Sequence, residues 1–151
     1  MKLLLASVSP RKTRAKNEPT DALVRDYAAR STRLTPTETA IFDSEAALLA
    51  ATERQPGRPA ALLVIFDSRG DTLTSEEFAG YLARLRDEGA QRILFAIGPA
   101  DGWSPVALTR AQRKLSFGRM TMPHELARAV MAEQVYRALT ILAGHPYHSG
   151  H

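Results

Sequence analysis

Three short stretches carry the residue types from which a ligand site can be made: FDSRG (residues 66–70), IGPADGW (97–103) and FGRMTM (117–122). Each follows an apolar run with glycine or turn-forming residues, so backbone N–H and C=O groups can face a ligand with few side chains in the way. The last lies within LSFGRMTMPH, residues 115–124. That run begins as a buried strand does, breaks at Gly118, sets one cation, Arg119, among apolar residues, and closes on a proline able to open a helix. Together the three stretches suggest a pocket built from backbone groups and apolar side chains.

What is missing narrows the chemistry. No G-x-G-x-x-G opens a helix and no G-x-x-x-x-G-K-[ST] is present, so the usual dinucleotide and phosphate-loop signatures fail. No serine sits in G-x-S-x-G, and His124, His145, His148 and His151 lack the H-E-x-x-H spacing of a helical metal site. Metal binding by the terminal HPYHSGH would be adventitious, so no metal is expected. The absence of cysteine excludes disulfides, thiolate nucleophiles and cysteine zinc sites, which fits a cytoplasmic protein.

The elements that position these stretches alternate between short apolar runs and helical patterns, which predicts an α/β fold with a mostly parallel sheet flanked by helices. Strands are expected at 2–8, 39–42, 61–66, 92–97 and 114–117. Helices are expected at 19–31, at 44–54 starting on Ser44 and stopped by QPGRP, at 75–88 behind the Thr74–Glu77 capping-box pattern and before Gly89, from Ser104 with Pro105 in the first turn, and at 123–142. In such sheets ligands bind beyond the carboxyl ends of the strands, where the three stretches fall.

The 151 residues, 44% hydrophobic and 24% charged, fit one globular domain spanning 1–151, and no apolar run approaches the roughly 18 residues of a membrane helix. Lys plus Arg number 20 against 16 Asp plus Glu, and the excess is uneven. Residues 1–33 hold eight cations (Lys2, Arg11, Lys12, Arg14, Lys16, Arg25, Arg30, Arg33) against Glu18, Asp21 and Asp26. Residues 102–128 hold Arg110, Arg113, Lys114, Arg119 and Arg128 against Glu125. Brought to one face, these segments would attract phosphates; scattered, they are ordinary solvated charges.

The runs LVIFDSRGDTLTSEEFAGYL, ILFAIGPADGWS and LSFGRMTMPHELARAVMAEQVYRALTILAGHPYH, in that order, resemble the RlmH family of large-subunit ribosomal RNA methyltransferases, within the SPOUT (trefoil-knot) superfamily. The resemblance covers residues 62–148 closely and the preceding part colinearly, and its most specific block runs from Leu115 to Tyr147. It implies a C-terminal deep trefoil knot, S-adenosylmethionine as methyl donor, N3 of a pseudouridine in 23S ribosomal RNA or the assembled ribosome as acceptor, and a homodimer whose interface includes the 123–142 helix. Carried over by position, the cofactor contacts fall on Phe66, Gly98, Phe117, Gly118, Arg119, Met120, Thr121 and Met122. The RNA contacts fall on Arg128, Arg137, Tyr147 and His148. No residue is marked as the base for N3, the candidates being His148, Tyr147, Arg137 and His124.

Each has a structural alternative. Glu133 and Arg137 have the i, i+4 spacing of a helix ion pair, and His124 sits in a first helical turn where a structural histidine is common. Tyr136 lies in an apolar stripe with Val130, Met131, Val135, Ala138, Leu139 and Leu142. Two positions depart from the family pattern. Pro99 stands where a second glycine is usual and removes an N–H, and Ser149 stands where a cation usually follows the YH pair. Those departures support a second reading, an RNA- or ribosome-binding protein of the same fold with impaired catalysis. A third is a flavodoxin-like nucleotide-binding domain with Asp67 or Asp101 on a ribose.

Overall fold

The computed structural model describes residues 1–15 and 18–149; Lys16 of the basic segment and Gly150 and His151 of the terminal run lie outside them. In chain order the elements are β1 (Lys2–Val8), α1 (Pro19–Thr32), β2 (Thr37–Phe42), α2 (Glu45–Ala51), β3 (Leu62–Thr72), α3 (Ser75–Asp87), β4 (Arg92–Ile97), α4 (Pro105–Arg110), β5 (Arg113–Ser116) and α5 (His124–Leu142), with a 3₁₀ turn at Pro146–His148. All neighbouring strands are parallel, in the order β2-β1-β4-β3-β5.

The apolar strands read as continuous runs because both faces of the sheet are covered. Leu3, Leu5, Val64, Ile93 and Phe95 point to α1, α3 and α5, where they meet Val24, Phe78, Leu82, Met131 and Val135. Their neighbours Ala6, Leu63, Ile65, Leu94 and Ala96 point the other way, to Leu48 of α2, Ala107 of α4 and Trp103. Local chemistry sets the helix starts. Ser44 caps α2 at Ala47, Ser104 caps α4 at Ala107, and Thr74 and Glu77 form both halves of a capping box on α3. A cap of this kind is worth about 1 kcal/mol.

Most expected boundaries hold within a residue or two. The exceptions are α2, which stops at Ala51, and β3, which runs past Phe66 to Thr72. FDSRG is therefore not an open turn. The chain bulges between Phe66 and Asp71 and then resumes pairing, Asp71 with Leu115 and Thr72 with Ser116. Gly70 is required there: a Cβ at this position would lie 2.7 Å from the backbone carbonyl carbons of both Lys114 and Leu115.

α5 is tied to α1 by a buried charge cluster. Arg128 Nη1 donates at 2.6 Å to Asp21 and at 2.6 Å to Glu125, while Thr20 donates to Glu125 at 2.8 Å. The expectation that Arg128 reaches RNA is corrected here, since its side chain is 7% exposed and both anions are committed to it. Arg110 and Arg113 are likewise paired, with Glu53 and Asp71, and so do not extend the basic face.

Candidate cofactor and substrate site

The bulge of β3 and the segments that follow β4 and β5 border a cavity of about 460 Å³ at the carboxyl edge of the sheet. The volume falls in the range of small-molecule pockets, roughly 300–1,000 Å³. Phe66 and Phe117 stack in its wall, with centroids 4.4 Å apart and planes 15° from parallel. Gly118 turns the chain out of β5 at φ 128°, a conformation side chains disfavour, and nothing stands within 4 Å of its missing Cβ. Ser116 fixes that turn: its hydroxyl accepts from Gly118 N–H at 3.1 Å and donates to Gly118 C=O at 2.8 Å.

Trp103 joins two of the three loops. Its indole is buried, and its Nε1–H donates at 2.9 Å to the carbonyl of Phe66. The ring lies so close under Gly98 that a Cβ there would come within 2.6 Å of Cε2. The close approach that requires glycine at 98 is thus made by Trp103, although Gly98 still borders the cavity. The IGPADGW loop is closed by Gly102 N–H donating to Pro99 C=O at 2.9 Å, a turn that uses proline's carbonyl and does not need its missing N–H.

Seven of the eight expected cofactor positions converge: Phe66, Gly98, Phe117, Gly118, Met120, Thr121 and Met122 line the cavity, whereas Arg119 does not and is exposed. Met120 lines only the mouth, being 83% exposed. His124 also lines the cavity, and its Nε2 is buried without a hydrogen-bond partner. Burial lowers its pKa below the ordinary value, more than Glu125 and the Gly98 backbone raise it, so the imidazole is neutral at pH 7. Asp67 is held ionised by Arg69, which donates Nε and Nη2 to its two oxygens at 3.0 Å each, leaving that carboxylate committed within the wall.

A second cavity of about 460 Å³ shares the Phe66–Phe117 wall and opens toward α3 and α5. Its far side holds Phe78 and Val130 with Ser75 and Gln134, whose side chains bond at 2.9 Å.

The third feature is at the end of α5. Arg137 donates Nε and Nη2 to Glu133 at 3.0 and 2.6 Å, and Tyr147 donates its hydroxyl to the same oxygen at 3.0 Å. Arg137 Nη1 meets His148 Nδ1 at 2.9 Å, and His148 Nε2 meets Glu76 at 2.7 Å. Because arginine only donates, Nδ1 must accept, which places the ring proton on Nε2 toward Glu76. Burial, with hydrogen bonding to Tyr27 and donation to the Glu133 carboxylate, raises the Tyr147 pKa well above the ordinary phenol, so its hydroxyl stays protonated. Arg30 lies over the Tyr136 ring at 4.5 Å and the Tyr147 ring at 5.5 Å, and those two rings meet edge-on at 4.7 Å.

The structure therefore separates the expected residues into two groups. His124 belongs with the carboxyl-edge cavity, while Tyr147 and His148 of the 3₁₀ turn gather on Arg137, which is thirteen residues along α5 and so about 20 Å away at 1.5 Å per residue. Sequence reading missed Trp103, Ser116, Tyr27, Arg30 and Glu76. For Trp103 a signal existed, a lone tryptophan following the loop glycines; Tyr27, Arg30 and Glu76 had none, since the residues of α5 and the tail that they meet, Tyr136, Tyr147 and His148, are more than seventy positions away. Among the described residues no three His, Cys, Asp or Glu side chains are grouped to hold a metal ion, and no helix is long and apolar enough to cross a membrane.

Residues 1–148 match the family described as "Predicted SPOUT methyltransferase". The chain belongs to the SPOUT methyltransferases. It is 49% identical over 138 residues to the ribosomal RNA large subunit methyltransferase H of Koribacter versatilis strain Ellin345, covering 91% of this chain and 94% of that protein. It is 44% identical over 162 aligned positions to the same-named protein of Cereibacter sphaeroides, covering 98% and 99%. Among solved structures, the SpoU methyltransferase AviRb of Streptomyces viridochromogenes, in complex with AdoMet, superposes with a TM-score of 0.52 at 15% identity, over 96% of this chain and 58% of that one. That likeness is one of fold, and with the family match it sets aside the flavodoxin-like reading.

Proposed function

We propose that this SPOUT methyltransferase transfers a methyl group from S-adenosylmethionine to N3 of a pseudouridine in 23S ribosomal RNA, on the assembled ribosome in the cytoplasm. The observation that carries the reading is the cavity at the carboxyl edge, to which seven of the eight donor positions implied by the resemblance converge. Relatives named for large-subunit ribosomal RNA methylation support the acceptor.

The cavity suits a donor whose positive charge vanishes on transfer. Phe66, Phe117 and Met122 offer apolar walls that exclude water, and the one carboxylate in the wall, Asp67, is neutralised by Arg69. Bound S-adenosylmethionine supplies an electrophilic methyl on a sulfonium. The chain's own contribution is positioning: the Ser116–Gly118 turn and the Trp103 brace hold three loops in fixed register, which is the form of catalysis open to a site with few charged groups. The acceptor N3 must release its proton as the new bond forms. His124 has a neutral imidazole with an unpartnered nitrogen beside the donor cavity, whereas His148 is engaged at both nitrogens within its own chain.

The acceptor site is completed by a second subunit. Arg137, Tyr147 and His148 lie about 20 Å of helix from His124 in one chain. A homodimer that juxtaposes the end of α5 with the partner's cavity brings the two groups together, and isologous packing of α5 accomplishes this twice. The knot implied by the resemblance belongs to the same proposal: the chain from Leu115 onward threads the loop formed by residues 66–103, which is how three loops come to surround one donor. The decisive experiment is transfer of labelled methyl to ribosomes lacking the modification, with the product nucleoside identified by mass spectrometry. Donor binding without transfer would favour the impaired ribosome-binding reading that Pro99 and Ser149 suggest.

A further inference from the structure

At the carboxyl edge the chain leaves β1 beside β4, because the two strands run parallel with Ser7 opposite Ile97. The turn that follows, at 10–14, is fixed: Pro10 C=O accepts from the N–H groups of Thr13 at 3.1 Å and Arg14 at 3.0 Å, while Arg11 N–H donates to Asp43, just beyond β2, at 2.5 Å. Arg11 and Lys12 are exposed on it, and Arg14 is half-buried. On the other side of the cavity Arg119 leaves β5 behind the Gly118 turn, exposed and outside the cavity lining, with Met120 exposed next to it at the mouth. In the order β2-β1-β4-β3-β5 the two flanks are three strand intervals apart, about 14 Å at roughly 4.8 Å each, and the cavity opens between them.

Among the described residues Arg11, Lys12, Arg14 and Arg119 have no carboxylate within ion-pair distance. Many cations elsewhere do: Lys2, Arg84, Arg86, Arg110 and Arg113 each stand against an Asp or Glu. The anions of the carboxyl edge are largely engaged, Asp43 with the Arg11 N–H, Asp67 with Arg69 and Glu45 with Ser104, which leaves Asp101 and Glu18. Free cations on both sides of a cavity mouth favour a chain of phosphates, and contacts of that kind position a nucleic acid without reading its sequence. The fixed turn lowers the ordering cost of such a contact. Met120 adds an adaptable apolar surface on which a base can rest.

We infer that these two flanks form a track for the sugar–phosphate backbone of single-stranded RNA, which crosses the cavity mouth from Arg11 and Lys12 to Arg119. The nucleoside between the flanks is thereby held over the cavity, and Arg119 serves the RNA instead of the methyl donor. That the RNA is ribosomal rests on the reading above; the track itself asks only for a flexible phosphodiester chain.

The test measures binding of the whole protein to fluorescein-labelled poly(U) across a salt series. Four forms are compared: wild type, Arg11→Gln with Lys12→Gln, Arg119→Gln, and a control, Arg33→Gln with Arg54→Gln, which removes two exposed charges from the opposite edge, where α1 and α2 end. Each lost phosphate contact lowers the log–log slope by about 0.7 and weakens binding about fivefold at about 0.1 M salt, so the first double variant loses about 1.4 in slope and about 25-fold in affinity. Arg119→Gln shows the effect of one contact. The control keeps the wild-type slope, and all four forms keep the wild-type melting midpoint and S-adenosylhomocysteine affinity. Equal slopes in all four forms, or a control that falls as far as the first double variant, overturn the track, the latter by showing that only net charge counts. Weaker S-adenosylhomocysteine binding by Arg119→Gln makes that residue a donor contact and overturns the β5 flank. Methyl transfer to ribosomes lacking the modification is read in parallel, where the variants of the track raise KM and leave kcat near the wild-type value. The expected poly(U) slopes with no transfer by wild type reject the ribosomal RNA reading and leave the track standing.

Discussion

Replacing Gly98 by alanine tests what that glycine is for. The new methyl would sit 2.6 Å from Trp103 Cε2, 2.8 Å from Nε1 and 2.9 Å from Cδ2, against a rigid ring and not the end of a flexible chain. To reach an ordinary contact near 3.4 Å the indole must retreat by most of an ångström, and it is pinned at 2.9 Å to the Phe66 carbonyl. Overpacking of this kind costs about 1–3 kcal/mol and loss of the hydrogen bond about 1 kcal/mol more, so the expected destabilisation is about 3 kcal/mol. For a chain of this size that lowers the melting midpoint by about 6–12 °C. Calorimetric unfolding and S-adenosylhomocysteine titration are run on Gly98→Ala alone and with Trp103→Ala. In the second background the alanine methyl has room and its own cost falls to within about 0.5 kcal/mol of zero, a coupling that neighbouring residues show and distant ones do not. A Gly98→Ala protein with the wild-type midpoint but no donor affinity would refute this account, and would mean the methyl occupies ligand space while Trp103 yields.

Arg128→Met leaves Asp21 and Glu125 partly buried without their cation and is expected to cost about 3 kcal/mol in urea unfolding, while the salt slope of ribosome binding stays at the wild-type value. The folded-state pKa of His124 is lowered, so the folded protein binds fewer protons than the unfolded one just below the ordinary imidazole pKa of about 6.5; stability is flat above that pH and declines as pH falls through it, and His124→Phe should flatten that decline in unfolding measured from pH 7.5 to 5. Truncation after Pro146 removes Tyr147 and His148 from the end of α5 and should leave S-adenosylhomocysteine affinity within a few fold while methyl transfer falls severely; wild-type transfer by the truncated chain would remove the tail from the mechanism. Analytical ultracentrifugation at micromolar concentration should give a dimer, and a monomer that still transfers methyl would reject the shared acceptor site.

Much of this architecture is written locally. Apolar runs such as LLLASV and RILFAI can only be strands covered on both faces, and serine or threonine three residues before a backbone N–H fixes where α2, α3 and α4 begin. The same local reading located the ends of β4 and β5 and the glycine at 118, because a break after an apolar run needs no knowledge of partners, whereas the break it placed after Phe66 is a bulge within β3. What the sequence left open are relations between distant segments. The extension of β3 to Thr72 depends on where β5 docks against it, and Gly70 is explained only by the backbone of Lys114 and Leu115. Gly98 reads as space for a ligand until Trp103 is seen to fill it. Arg128 reads as a surface cation until α1 brings Asp21 within 2.6 Å. Periodicity reports which side of an element faces inward, whereas the choice between a free charge and a buried pair depends on which element lies across from it, and that is decided only when α1 and α5 pack together.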